Sequence, residues 1–300
     1  AVMFIGLVLP GAMLHRLSGG EFDPKTHVDA AWPVFMRGLT AERHPQQEMQ
    51  IMPVKIDKTT TVRDLVVVHP ETRQVLESLG IDYCCGGGRK LTDAVAEAGL
   101  DLADVLRAIE RAGAGADLPE AVPEQDWRNA PLTDLVEHIE STHHAYMKQA
   151  LPRLGDLFVK VLKAHGSRHG DMLTPLQATF QALRSEIEMH LMKEEQVLFP
   201  YIRQMEAGVG KTGRVPPIHC GTVQKPIRQM VAEHEDAGEA LARMRSLTGE
   251  YTLPEDACPT FRALFDGLRE IEADLHEHIH LENNILFPRA IELEQQCCYT

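Results

Sequence analysis

The sequence predicts an all-α protein, a bundle of four long helices preceded by a small helical domain. Three observations carry this. Apolar residues recur at 3.6-residue spacing over 132 to about 163, 172 to about 206, 224 to about 247 and 257 to about 294, and no segment reads as a strand. The frame His190-x3-Glu194-x3-Leu198-Phe199-Pro200 returns 88 residues later as His278-x3-Glu282-x3-Leu286-Phe287-Pro288. A block from Thr59 to Ala112 carries much shorter helical periods, too small a unit to share the bundle's architecture.

Taken in chain order, residues 1–58 read as an irregular extension. Its apolar run Ala1 to Leu14 is too short to span a bilayer and is interrupted by Pro10. The small domain, 59–112, starts at an N-cap Thr60 or Thr61, with Val62, Leu65 and Val66 on one helical face and Pro70 as a break. Thr72, Val75, Leu76 and Leu79 form a second helix that Gly80 stops. The loop Ile81-Asp-Tyr-Cys-Cys-Gly-Gly-Gly88 follows, then helices from about Thr92 and Leu102. Residues 113–130, with Gly113, Gly115, Pro119 and Pro123, read as a linker, and 131–296 hold the bundle.

Composition narrows the function classes. A formal net charge of −14 excludes phosphate-backbone binding and an anionic membrane surface, because both need clustered Lys and Arg. No nucleic acid and no membrane is expected as partner. The six cysteines include two adjacent pairs and do not read as a disulfide framework, so a reducing, cytoplasmic setting is expected.

The 15 histidines carry the chemistry. On a helix, i and i+4 share a face, so each H-x3-E aims an imidazole and a carboxylate at one point. In the second helix Leu183, Ile187, His190, Glu194 and Val197 form the core stripe, and in the fourth Leu268, Ile271, Leu275, His278, Glu282 and Ile285 do. His234 lies on the core face of the third helix; on the first, His143 or His144 turns inward. A His on the first helix of each hairpin and H-x3-E on its second is how a bundle builds a dinuclear site. One inward histidine alone would more simply be a hydrogen-bonded core group. Two buried carboxylates, however, need cations, and the stripes hold no Lys or Arg. Imidazole and carboxylate without thiolate suit iron, manganese or zinc, and bridging carboxylates suit di-iron or di-manganese. His276 and His280 fall two residues out of register and are expected in solvent; His138, His143, His169 and His219 are expected at the surface or behind the ligands. Cys84 and Cys85, beside three glycines, present adjacent thiols suited to ligation or exchange. Cys220 and Cys258 read as structural, and Cys297-Cys298 as terminal.

The double-cysteine loop, Asp126-Trp-Arg-Asn-Ala-Pro131, the His190–Pro200 block, Glu233-His-Glu-Asp-Ala-Gly238 and Leu281-Glu-Asn-Asn-Ile-Leu-Phe-Pro-Arg289 together resemble the repair-of-iron-centres family, the YtfE and ScdA kind. The resemblance covers about 59 to 293. It implies a hemerythrin-like bundle holding two non-haem iron ions, oxo- or hydroxo-bridged. His144, His165, His190, His234 and His278 would be terminal ligands, with Glu194 and Glu282 bridging. His165 enters through the resemblance alone. It further implies repair of iron–sulfur clusters damaged by nitrosative or oxidative stress, with damaged iron–sulfur proteins as clients and nitric oxide or oxygen species as small ligands. Iron donation and nitric oxide reduction are the two activities it suggests, with Cys84 and Cys85 assisting transfer or redox. An iron, oxygen or nitric oxide sensor is the alternative. Gly238 stands where oxygen-carrying hemerythrins place a second histidine, which argues against simple oxygen carriage.

Overall fold

The computed structural model describes residues 59–113, 126–208 and 221–298. The extension at 1–58, most of the linker, His219 and Cys220 lie outside the described residues, as do the side chains of Cys297 and Cys298. Everything regular in the described residues is helical; their only β pairing is a single antiparallel bridge between Thr61 and Lys90.

The small domain is built from α1 (Val62–Val68), α2 (Thr72–Ser78), α3 (Leu91–Glu97) and α4 (Leu102–Gly113). Thr61 is the N-cap of α1 in a capping box, its hydroxyl accepting from Asp64 N while the Asp64 carboxylate accepts from Thr61 N. Gly80 ends the second helical run at φ +69°, a conformation that favours glycine.

The bundle begins with α5 (Leu132–Ile139), passes a π-helical turn Glu140–His144, and enters α6 (Ala145–Lys193). Within α6 the backbone leaves helical geometry at His169 (φ −119°, ψ 17°), and there the chain reverses. Residues pair symmetrically about it: Phe158 meets Phe180 with ring centroids 5.0 Å apart, and His144 meets Glu195. Gly166 and Gly170 flank the bend and weaken helix there. A second π turn, Glu194–Leu198, leads into α7 (Phe199–Gly208). The other hairpin is α8 (Gln224–Thr248) and α9 (Pro259–His280), followed by a third π turn, Leu281–Leu286, and α10 (Phe287–Cys298).

These π turns modify the expected stripe. A π turn inserts one extra residue per turn and rotates everything after it. Val197, placed in the core by a strict α period, is therefore 49 % exposed, and Leu198 and Phe199 are buried instead. Pro200 and Pro288 follow two residues after their turns and donate no backbone N–H, so the α ladder is already interrupted there.

The repeat runs beyond the ligands. Glu206, twelve residues after Glu194, accepts from Leu132 N (2.6 Å) and Thr133 N (2.8 Å), satisfying orphan donors at the start of α5. Glu294, twelve after Glu282, accepts from Val223 N (2.7 Å) at the start of α8. Two apolar clusters fill the interior. One joins the small domain to the Phe158, Phe180, Phe261 and Phe265 end; the other gathers Leu135, Ile139, Phe199, Ile202 and Phe287.

Candidate metal centre

His190, Glu194, His234, His278, Glu282 and His144 converge in the bundle interior, and both carboxylates are completely buried. They form two overlapping donor groups, His144–Glu194–His278–Glu282 and His190–Glu194–His234–Glu282, so Glu194 and Glu282 belong to both. Each group takes a first-helix histidine from one hairpin and a second-helix histidine from the other. The Nε2 atoms lie against the carboxylates: His144 and His190 at 3.4 and 3.3 Å from Glu194 Oε2, His234 and His278 at 3.1 and 3.2 Å from Glu282 oxygens. Each π turn carries one of these residues, namely His144, Glu194 and Glu282.

The outer nitrogens show which way the rings are set. An ionised carboxylate only accepts, so His144 Nδ1–H donates to Glu195 (2.8 Å) and His190 Nδ1–H to Glu233 (2.8 Å); His234 Nδ1–H donates to Asn283 Oδ1 (2.9 Å). These three imidazoles are thereby fixed with Nε2 inward, the usual outer support of a metal-binding histidine. Within each group the Nε2 atoms face each other, at 3.3 Å for His144 and His278 and 3.1 Å for His190 and His234. Two lone pairs at that distance repel unless a proton or a metal lies between them.

The carboxylates make the same demand. All four oxygens of Glu194 and Glu282 are buried without a hydrogen-bond partner. Burial alone would push both carboxyls up, but the imidazoles hold Glu194 below, and Glu282 well below, the ordinary carboxylate range. Conversely, burial pulls the His190 ring down, and the nearby Glu194 charge overrides it, pushing it to about 10. Positive charge is required here, and a metal ion supplies it with the right donors. The residues fit an imidazole–carboxylate metal centre.

The histidines set aside on sequence grounds fall differently from expectation. His280 is buried, with Asn284 Nδ2 donating to its Nδ1 (2.9 Å) and Tyr83 against its ring; His276 is also covered by Tyr83, with Glu77 3.5 Å away. Their face is solvent in a lone bundle, but here the small domain packs on it. His143 is buried too, 3.0 Å from Asp274 and stacked parallel on His278.

His165 is not brought to the centre. It lies 21 residues from His144 on the same helical arm, roughly 32 Å at 1.5 Å per residue. It sits beside Phe261 and His169 instead, and its ring hydrogen-bonds the Cys258 thiol, drawing that thiol down to about 7. That arithmetic was open to the sequence once one helix was seen to contain both residues.

Cys84 and Cys85 are free thiols, their sulfurs 3.8 Å apart. Asp82 shapes their turn, its carboxylate accepting from the backbone N–H of Cys84, Cys85 and Gly86 at 2.8 to 3.0 Å. The loop is bound to the centre's own supports. Asn283 Nδ2 donates to Cys84 O (3.2 Å), Asn284 Nδ2 to Tyr83 O (3.0 Å), and the Cys85 thiol to His234 O (3.3 Å). Asn283 and Asn284 were the functional residues missed by spacing; their position directly after Glu282 was the available signal. A cleft of about 1290 Å³ opens on Cys84 and Cys85, lined also by Glu235, Glu239 and Arg245. A recess of about 20 Å³ touches His190, His234 and His278.

A helical bundle with a buried centre of four imidazoles and two carboxylates is a metal-binding protein of the non-haem, hemerythrin-like class. The Hemerythrin HHE cation binding domain matches residues 135–290, and ScdA_N, a domain of unknown function (DUF542), matches 58–113. The chain is 37% identical over 228 residues to the iron-sulfur cluster repair protein YtfE of Escherichia coli O81, covering 76% of this chain and 94% of that one. It is 36% identical over the same shares to those of Citrobacter koseri and Escherichia fergusonii. The chain belongs to the YtfE family of iron-sulfur cluster repair proteins. Among the described residues, no helix is long and apolar enough to cross a membrane.

Proposed function

We propose that this chain repairs iron–sulfur clusters, using two non-haem iron ions held in the bundle. His144 and His278 serve one ion, His190 and His234 the other, and Glu194 and Glu282 are shared. The observation that carries this is the set of four buried carboxylate oxygens without hydrogen-bond partners, each pair faced by imidazole Nε2 atoms. Bound there, iron would supply labile metal and a coordination position for a diatomic ligand such as nitric oxide.

The chain's own residues do the rest. Glu195, Glu233 and Asn283 hold the ring orientations, and the charges of Glu194 and Glu282 favour cations. The recess beside His190, His234 and His278 exceeds the ~10–15 Å³ that one water needs, so it admits a diatomic and little more. Cys84 and Cys85, linked to the centre through Asn283 and His234, lie on the wide cleft from which a damaged iron–sulfur client would be met. This supports iron donation, with nitric oxide binding or reduction at the recess as the companion activity.

Metal analysis of the anaerobically reconstituted protein and a repair assay on a nitric-oxide-damaged iron–sulfur dehydratase test the reading. Two irons per chain and faster repair than the Glu194→Ala/Glu282→Ala double variant are expected. Equal repair by the two proteins would overturn it.

A further inference from the structure

A second imidazole cluster stands at the opposite pole of the bundle. His169 is the reversal point of the first hairpin, and Asp256 lies in the turn between α8 and α9, so the two bends meet. His169 Nε2 is 2.8 Å from Asp256 Oδ1. His165, one turn before His169 on the same face, has a ligating nitrogen within 4.8 Å of both. Cys258, two residues after Asp256, lies outside this group of mutually close donors. Arg168 binds Asp256 Oδ2 at 2.9 Å, which leaves Oδ1 turned to the imidazoles. Helix length separates this cluster from Glu194 by 25 residues, roughly 37 Å. It shares no ligand with the dinuclear centre.

The geometry points to a mononuclear divalent-cation site with His165, His169 and Asp256 as its three donors. Two imidazoles and a carboxylate make a three-ligand set of the zinc class, with the fourth position left to water. Arg168 then acts as the outer partner that orients the carboxylate. The bare alternative is a surface His–Asp pair. It accounts for His169 and Asp256 but gives no reason for His165 to bring a third ligating atom to the same point. An ion here ties the two hairpin bends together, and His165 gains a role as a ligand at this site.

Cobalt(II) is the probe, added to full-length Cys84→Ser/Cys85→Ser protein whose dinuclear centre is already loaded. One further equivalent is expected to bind, with the visible d–d absorption of a low-coordinate cobalt(II) ion. His165→Gln and His169→Gln should each weaken binding more than ~10-fold, since even outer partners cost that much. Glu194→Ala/Glu282→Ala should leave this equivalent in place, which separates it from the proposed di-iron reading. No further equivalent, or one bound equally well by His165→Gln and His169→Gln, overturns the proposal. So does His169→Gln that lowers the melting temperature without changing cobalt binding, because a purely structural pair behaves that way.

Discussion

The Cys85 thiol donates to the backbone carbonyl of His234 across 3.3 Å, so one peptide joins the double-cysteine loop to the bundle's third-helix imidazole. Gly238, one turn further along α8, leaves the space: a Cβ there would come within 3.4 Å of Cys85 Sγ. The position where an oxygen carrier would place another histidine is used here to seat a thiol.

Replacing that glycine should therefore unseat the loop without emptying the centre. Gly238→Leu overpacks the contact, which typically costs ~1–3 kcal/mol. Alkylation of Cys85, followed by mass spectrometry, should accelerate, while metal content stays at the wild-type level. Unchanged alkylation would mean the thiol does not depend on this seat.

Asn283 holds both sides of the same junction, accepting from His234 Nδ1 and donating to Cys84 O. Asn283→Leu removes the outer support of one ligand and should weaken metal binding about 10–100-fold. Amide hydrogen exchange in the 81–88 loop should rise in the same variant. A loss of affinity with an unchanged loop would separate the two functions.

Glu206 and Glu294 should show matched stability losses, because each caps the opening helix of its hairpin. Substituting either by Ala should cost about 1 kcal/mol near neutral pH by urea unfolding. Burial tends to raise the Glu206 carboxyl, but hydrogen bonds from Thr133 and Leu132 outweigh it and hold the group below its usual value. A depressed acid stabilises the fold above its unfolded pKa and loses that stabilisation as pH falls. The Glu206→Ala deficit should shrink on acidification below about pH 4.5.

Chelation should expose the cost of the bare centre. Ions that bind only the folded state add about 2.7 kcal/mol at a hundredfold excess over their dissociation constant. Thermal melts should rise on adding iron(II) anaerobically and fall with chelator, and Glu194→Gln/Glu282→Gln should flatten that dependence. A double variant that still responds fully would place the stabilising ion elsewhere.

The sequence by itself determined the helices and the chemistry of the centre. Periodicity placed the long helices to within a few residues, because each must hide an apolar stripe. The doubled H-x3-E frame marked His190, Glu194, His278 and Glu282, because i and i+4 share a face and two buried carboxylates cannot go uncompensated. Tertiary structure decided what local spacing does not contain. Docking of the small domain buried His280 and partly covered His276, whose face would be wet on an isolated bundle. The π turns moved Val197 out and Leu198 in, an offset of one residue that a strict helical period misses. The distance of His165 from the centre, by contrast, was already in the spacing, since a helical arm fixes the distance between two of its residues regardless of residue type. Pairing across hairpins, His144 with His278 and His190 with His234, exists only once the two halves are packed together.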